Sequence, residues 1–497
     1  MKSFICATLL LLSISLAANC QYMEKVPFDP SDIANSYYLA FPPASGSIKG
    51  VLVFFCSFRP PESLLPETRL HNVAAASNLL TVYASVGNHL LPDPAITDRM
   101  NTVIRHVTEK YKADTASFVL GGFDVAGTMV LRFTELAYEH PAQYAVCPKA
   151  VFTVASTVDL FGLYRRSQRQ IKRNFFPPTV GDARIFLDMM TKEEGTIDEH
   201  PEHYKALSPF YRDEEAPGNE QFLRSVALRL YYDTDIPWQL TTRRNSLYDT
   251  DLPDGSELID RLLLEGNNKA EFVAARLPGV RSNGMRNTSS MSIVDETDCI
   301  HWINKTLHIF DPNNPMAWEA PYTFITPNGW NVERSQLPGP NSPRFALRSI
   351  EDMRFPPGWG DARSEEYWSV AYLLWLEGGQ KIDAGILQSN LKMYYDDLVA
   401  GAIIRRNLTV APGAVFPTQV TIKKTTAEAD DLETYTGTIH MFNYLAQVPM
   451  TLNYLLHIKS CAAQNRIPLF FEISPQPFDH PLWRKLKEPK QKFVCGP

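Results

Sequence analysis

Apolar residues along the first 310 positions fall into short blocks at regular intervals. Residues 50–55 (GVLVFF), 80–85 (LTVYAS), 117–120 (SFVL), 150–155 (AVFTVA), 226–232 (VALRLYY) and 270–275 are each too short for a buried helix. Continuous apolar runs of this length are the mark of strands covered on both faces. Between them lie stretches with apolar positions at helical spacing: 69–77, 98–111, 128–139 and 256–264. Strands alternating with helices predict an α/β domain built on a doubly wound, mostly parallel sheet. A first strand is expected over 37–41, a charged helical insertion over 160–219, and a last helix over 291–307.

Beyond residue 310 the rhythm stops. Residues 311–345 are rich in Pro, Asn and Gly (DPNNP, TPNGW, LPGPNSP), which predicts a linker with room for one short strand. The stretch 365–377, carrying Trp368, Tyr372 and Trp375 before Gly378-Gly379, has helical spacing and a helix stop. A second helix over 384–404 and strands over 419–424, 433–442, 451–457 and 467–473 complete a smaller α+β domain spanning 346–497. The loop Phe355-Pro356-Pro357-Gly358-Trp359-Gly360-Asp361 stands out for its aromatics, which suit contact with a ligand. The aromatic stripe more commonly marks a core than a sugar platform.

A chain of 497 residues supports two domains. Its net charge of −7 offers no basic footprint for nucleic acid. Lys2, the apolar run 4–16 and Ala17-Ala18 predict a signal peptide over 1–20 and a secreted or periplasmic protein. The stretch 16–20 also resembles a bacterial lipobox, with Asn19 where a small residue is wanted, leaving a lipid anchor through Cys20 as the alternative. No later apolar stretch approaches the ~20 residues of a membrane span. Neither the sparse cysteines nor the histidines have metal-ligand spacing, so no cofactor is expected. Export would permit Cys461 and Cys495 to pair. Asn287, Asn304 and Asn407 begin glycosylation sequons, a pattern common by chance.

The chemistry-bearing stretch is Ser117-Phe118-Val119-Leu120-Gly121-Gly122-Phe123-Asp124-Val125-Ala126-Gly127-Thr128. A buried strand, a small-residue turn and a helix form the layout of a nucleophile elbow. The order of parts over 26–310 resembles the α/β-hydrolase fold, and more narrowly secreted bacterial hydrolase-like proteins with a G-G-F-S-A-G-G elbow. In such proteins the resemblance implies a serine nucleophile, an acid after the strand at 226–232, and a histidine in the loop at 279–290.

This chain departs from that pattern three times. Asp124 stands at the nucleophile position; a carboxylate cannot be activated as serine is, but it can attack an sp3 carbon, as in the epoxide hydrolases and haloalkane dehalogenases that the elbow also resembles. Asp235, or Asp233, suits the orienting acid, although an Asp-x-Asp-x-Pro sequence equally caps a turn. The loop 279–290 contains no histidine, and His301 falls two turns into the following helix. After residue 55 the chain runs Cys56-Ser57-Phe58-Arg59-Pro60-Pro61, with no glycine-rich turn to present backbone donors. The balance favours a catalytically impaired hydrolase that binds a small molecule or protein. Its alternatives are an active hydrolase with Asp124 as nucleophile, and function carried by the C-terminal domain. A surviving pocket would gather Phe58, Arg59, Phe123, Asp124, Val125, Trp238, Arg281 and Arg286, with Arg286 or Arg281 either paired to Asp124 or simply facing solvent.

Overall fold

A computed structural model describes residues 22–214 and 217–496, which leaves the expected signal peptide and Cys20 outside the described residues. The chain divides into two units, up to Ile309 and from Phe310 onward.

The first unit is organised by an eight-stranded sheet: β1 Glu24–Pro27, β2 Tyr37–Phe41, β3 Gly50–Cys56, β4 Leu79–Ser85, β5 Phe118–Phe123, β6 Ala150–Val154, β7 Ala227–Tyr232 and β8 Ala270–Ala274. Their order is β1-β2-β4-β3-β5-β6-β7-β8, with β2 antiparallel to both neighbours and β3 to β8 parallel. Every residue of β3 and β5 is buried, as their unbroken apolar sequences demand. The helices are α1 Leu70–Ala76, α2 Pro94–Tyr111, α3 Val125–Glu139, α4 Leu160–Arg173, α5 Pro177–Glu194, α6 Pro201–Leu207, the single turn α7 Ile236–Trp238, α8 Leu252–Leu264 and α9 Glu296–Thr306. Helices α4 to α6 form the charged insertion between β6 and β7, with their own apolar cluster around Phe161, Met190 and Tyr204. From β3 the chain steps to β4 on one side and later to β5 on the other. The crevice beyond the carboxyl ends of β3 and β5 is therefore where an open α/β sheet takes a ligand.

The second unit is a seven-stranded antiparallel sheet in the order β12-β13-β14-β15-β11-β10-β9. Its strands are β9 Asn331–Leu337, β10 Ser349–Phe355, β11 Val370–Glu377, β12 Gln419–Thr425, β13 Glu433–Asn443, β14 Val448–Ile458 and β15 Arg466–Ser474, with α10 Ala384–Arg405 between β11 and β12 and α11 Leu482–Gln491 after β15. Two expectations are corrected here. The predicted helix over 365–377 is strand β11, hydrogen-bonded between β10 and β15. Val370, Tyr372, Leu374 and Leu376 share one core with α10, whereas Ala371 packs with Leu482, Trp483 and Leu486 of α11, and Leu373 and Trp375 join Trp318 and Tyr322. An apolar run buried on both faces carries no period of its own, so Tyr372 and Trp375 mimic helical spacing from opposite sides of a sheet. Nor are residues 311–345 merely a linker. The one short strand expected of them is β9, and they also bury Trp318, Tyr322 and Phe324, because their aromatics have a core to join. Cys461 and Cys495 are disulfide-bonded. No helix among the described residues is long and apolar enough to cross a membrane.

Candidate functional site

Strand β5 ends at Phe123, and Asp124 turns the chain into α3 with φ of 58° and ψ of −128°. A non-glycine residue in that region is strained, and it persists only where the surroundings fix it. Here they do. The Asp124 amide donates to the Val154 carbonyl at 2.9 Å, and the Asp124 carbonyl accepts from Gly127 at 3.0 Å. A Cβ on Gly122 would stand 2.5 Å from the Gly127 Cα, so this turn closes only with glycine at both positions. The sheet order, the parallel core strands and this strained strand-to-helix turn are decisive together. The first unit has the α/β-hydrolase fold.

Asp124 opens onto a cavity of about 620 Å³. Phe58, Arg59, Val125 and Arg281 line it as expected, while Phe123 is buried behind them with the Arg59 and Arg281 guanidiniums over its ring at 5.1 and 5.0 Å. Burial pushes the Asp124 carboxyl up, against the opposite pull of Ser289, Arg59 and Arg281; Asp251 adds to the rise. The Ser289 hydroxyl forms no hydrogen bond of good geometry, although it is near enough to Asp124 to bear on its ionisation. Arg281 is held below the usual guanidinium range by burial and then by the like charge of Arg59. Among the described residues no carboxylate comes within ion-pair distance of Arg59, Arg281 or Arg243.

Beside the cavity, the acid position is occupied in a way that sequence alone left open. Asp233 is the buried member: it accepts from the amides of Gly279 at 2.7 Å and Asp235 at 3.0 Å. Asp235 caps α7 by accepting from the Trp238 amide at 3.1 Å, the turn-capping alternative. Arg286 grips Asp233 with Nη1 at 2.7 Å and Nη2 at 3.1 Å, and reaches Asp235 at 3.2 Å. Its guanidinium lies 4.3 Å above the Trp238 ring, with Arg243 at 4.7 Å from the same ring. The expected pairing of Arg286 or Arg281 with Asp124 is thereby corrected: the loop places Arg286 on Asp233 and Asp235, and Arg281 lies near Asp124 without an ion pair to it. None of the cavity-lining residues is a histidine.

The backbone-donor side is altered as well. Phe58 has a φ of 58°, and its amide is spent on the Gly87 carbonyl at 2.9 Å. Cys56, at the end of β3, is a buried thiol pushed up to about 12 by burial, and so is no nucleophile. The insertion supplies lining residues that no motif announced, among them Gln170, Asp182 and Phe186, and the segment after β7 adds Arg243 and Asn245. Burial raises the Asp182 carboxyl, and Asp124 adds to the rise.

No family model matches the sequence, and neither does any curated protein. Among solved structures, the chain is similar to the esterase domain of a Rhodothermus marinus protein at 10% identity and a TM-score of 0.33, over 56% of this chain and 97% of that one. It is also similar to carboxyl esterase 2 from the fungus Tuber melanosporum, at 13% identity and a TM-score of 0.38 over 60% and 87% of the two chains. A fungal esterase from Rhizomucor miehei aligns at 11% identity and a TM-score of 0.39, over 57% and 84%.

Proposed function

We propose that the first unit is a non-catalytic binding module on a hydrolase fold, exported from the cell, whose cavity above Asp124 takes a small organic acid. The observation that carries the reading is the clamp of Arg286 on Asp233. Acyl transfer needs that acid to orient a histidine, and a permanently charged guanidinium can neither accept nor return a proton at neutral pH. Burial raises the Asp124 carboxyl against the pull of Ser289, Arg59 and Arg281, and no histidine lines the cavity to activate water against an ester formed on it. The ligand's charge follows from the balance of side chains left over. Arg166 is tied to Asp251 and Asp254, and Asp249 to Arg169 and Arg173. Of the cavity-lining carboxylates, Asp124 and Asp182 are left to Arg59, Arg243 and Arg281, and both have raised carboxyls; Glu67 bears on Arg281 and the already paired Asp233 on Arg243. Guanidiniums recognise carboxylates through paired donors. Export is supported by the N-terminal apolar run and by the disulfide in the second unit.

Calorimetric titration of the intact chain with benzoate, acetate and inorganic phosphate tests the ligand class. Saturable binding of a carboxylate, weakened at least tenfold in Arg59→Ala and in Arg281→Ala, is expected. Indifference of every carboxylate to both substitutions would overturn it.

A further inference from the structure

The second unit has a cavity of its own, about 190 Å³, between β9, β10 and α10. That is well below the roughly 300–1,000 Å³ of a drug-sized pocket, so its occupant is small. One wall is a chain of rings. Trp359, in the aromatic loop after β10, lies 5.2 Å from Phe355 and 5.7 Å from Trp368, and Trp368 lies 5.2 Å from Tyr444. Trp368 adopts a φ of 52°, a left-handed conformation that a bulky aromatic accepts only under constraint. Its amide donates to the Trp359 carbonyl at 3.0 Å, fixing the two indoles together.

Glu351 of β10, only 4% exposed, lines the same cavity as these rings. Its Oε2 accepts from the Ser335 hydroxyl at 3.0 Å, whereas Oε1 has no hydrogen-bond partner. Tyr394 is near enough to lower the carboxyl's pKa without forming a hydrogen bond of good geometry. Glu333 lines the same cavity. Among the described residues, Arg405 is the cation lining the cavity; it donates to Asn341 Oδ1 at 2.9 Å, while Arg406 lies 5.5 Å over the Tyr444 ring, and neither makes an ion pair with either glutamate. Burial pushes the Glu351 carboxyl up to about 7, the state of a buried acid without a counter-ion.

We infer that this cavity is a binding site for a small organic cation, an amine or quaternary ammonium, held between the Trp359–Trp368–Tyr444 rings and the Glu351 carboxylate. Aromatic faces attract a desolvated cation, and the same cation completes the unpaired acid. An uncharged sugar would stack on the rings and leave the carboxylate uncompensated. The site lies wholly in the second unit and does not rest on the reading of the first.

The test is calorimetric titration of the intact chain with choline and with tetramethylammonium. The uncharged isostere 3,3-dimethylbutan-1-ol and methyl glucoside serve as competitors of equal bulk or ring-stacking ability. Both cations are expected to bind saturably at one site, at least tenfold tighter than either neutral compound, with quenching of tryptophan fluorescence. Glu351→Gln, which keeps the shape, and Trp359→Ala, on a loop, are each expected to weaken choline at least tenfold, while Trp359→Phe retains most of the affinity. Affinity is also expected to rise as pH increases through about 7, as Glu351 ionises with Ser335 and Glu333 facing it from β9, Tyr372 from β11, and Tyr394, Tyr395 and Arg405 from α10. Equal binding of the neutral isostere, preference for the glucoside, no binding of either cation, or full affinity in folded Glu351→Gln would each overturn the assignment.

Discussion

Arg286→Ala removes the cation from a carboxylate whose side chain is 2% exposed, while Arg286 itself is 21% exposed. Breaking a fully buried pair by deleting one partner costs about 3–5 kcal/mol, because the other charge stays desolvated. Two features reduce that figure. Asp233 keeps its two backbone amide donors, and part of the arginine was already in water. Against this, the substitution also removes the stacking on Trp238. The expected loss is therefore about 2–3 kcal/mol, measured as the shift in denaturant midpoint of the transition belonging to the first unit. Asp233→Ala is expected to cost a comparable amount, and the double variant less than their sum by about 1–3 kcal/mol. Hydrogen exchange supplies a local readout, since the Gly279 amide bonds directly to Asp233 and should lose protection in both variants. Arg286→Lys cannot reproduce the two-pronged grip and should recover only part of the loss. A loss under about 0.5 kcal/mol for Arg286→Ala, with strictly additive singles, would refute the view that this arginine holds the acid in place.

Two further consequences are open to measurement. A Cβ at Gly127 would lie 2.6 Å from Ser156 Cβ and 2.9 Å from Thr153 Cβ, both residues fully buried, so Gly127→Ala should destabilise the first unit by about 1–3 kcal/mol; unchanged stability would mean the elbow is looser than drawn. In the second unit, burial raises the Glu472 carboxyl from 4.5 to about 8, outweighing the opposite pull of Lys487 and Lys490. A raised folded value means that its stabilising proton is fully effective below pH 4.5 and is lost as pH rises through about 8. Glu472→Gln, a mimic of the protonated form, should therefore flatten the decline in second-unit stability across that interval, and parallel wild-type and variant profiles would contradict the assignment.

The parallel sheet was legible because its strands are short, apolar and separated by helices of ordinary amphipathic pattern. The elbow was legible because its small residues fall at fixed offsets. What β11 lost was period: with both faces buried, nothing in its sequence distinguishes alternation from a helical stripe. Arg286 and Arg281 are both legible as neighbours of the site, but not which of them pairs or with what. Loop 279–290 has no internal signal to say which of two carboxylates its arginine reaches, and the Gly279 amide bond to Asp233 is a tertiary fact. Asp182 and Arg243 were invisible for a related reason, since long connections carry no register. The cavity beside Trp359 was hinted at by its loop aromatics, but Glu351 sits on a strand of mixed polarity where a buried carboxyl leaves no mark.

The central claim, that the hydrolase fold here binds without reacting, is met most directly by intact-protein mass spectrometry and turnover with a panel of small esters, epoxides and haloalkanes, comparing wild type with Asp124→Ala. The account predicts no covalent adduct on Asp124 and no turnover that the substitution removes, from protein shown to be folded. An adduct of the alkyl group on Asp124, or turnover abolished in Asp124→Ala, would contradict it and establish an aspartate-nucleophile hydrolase instead.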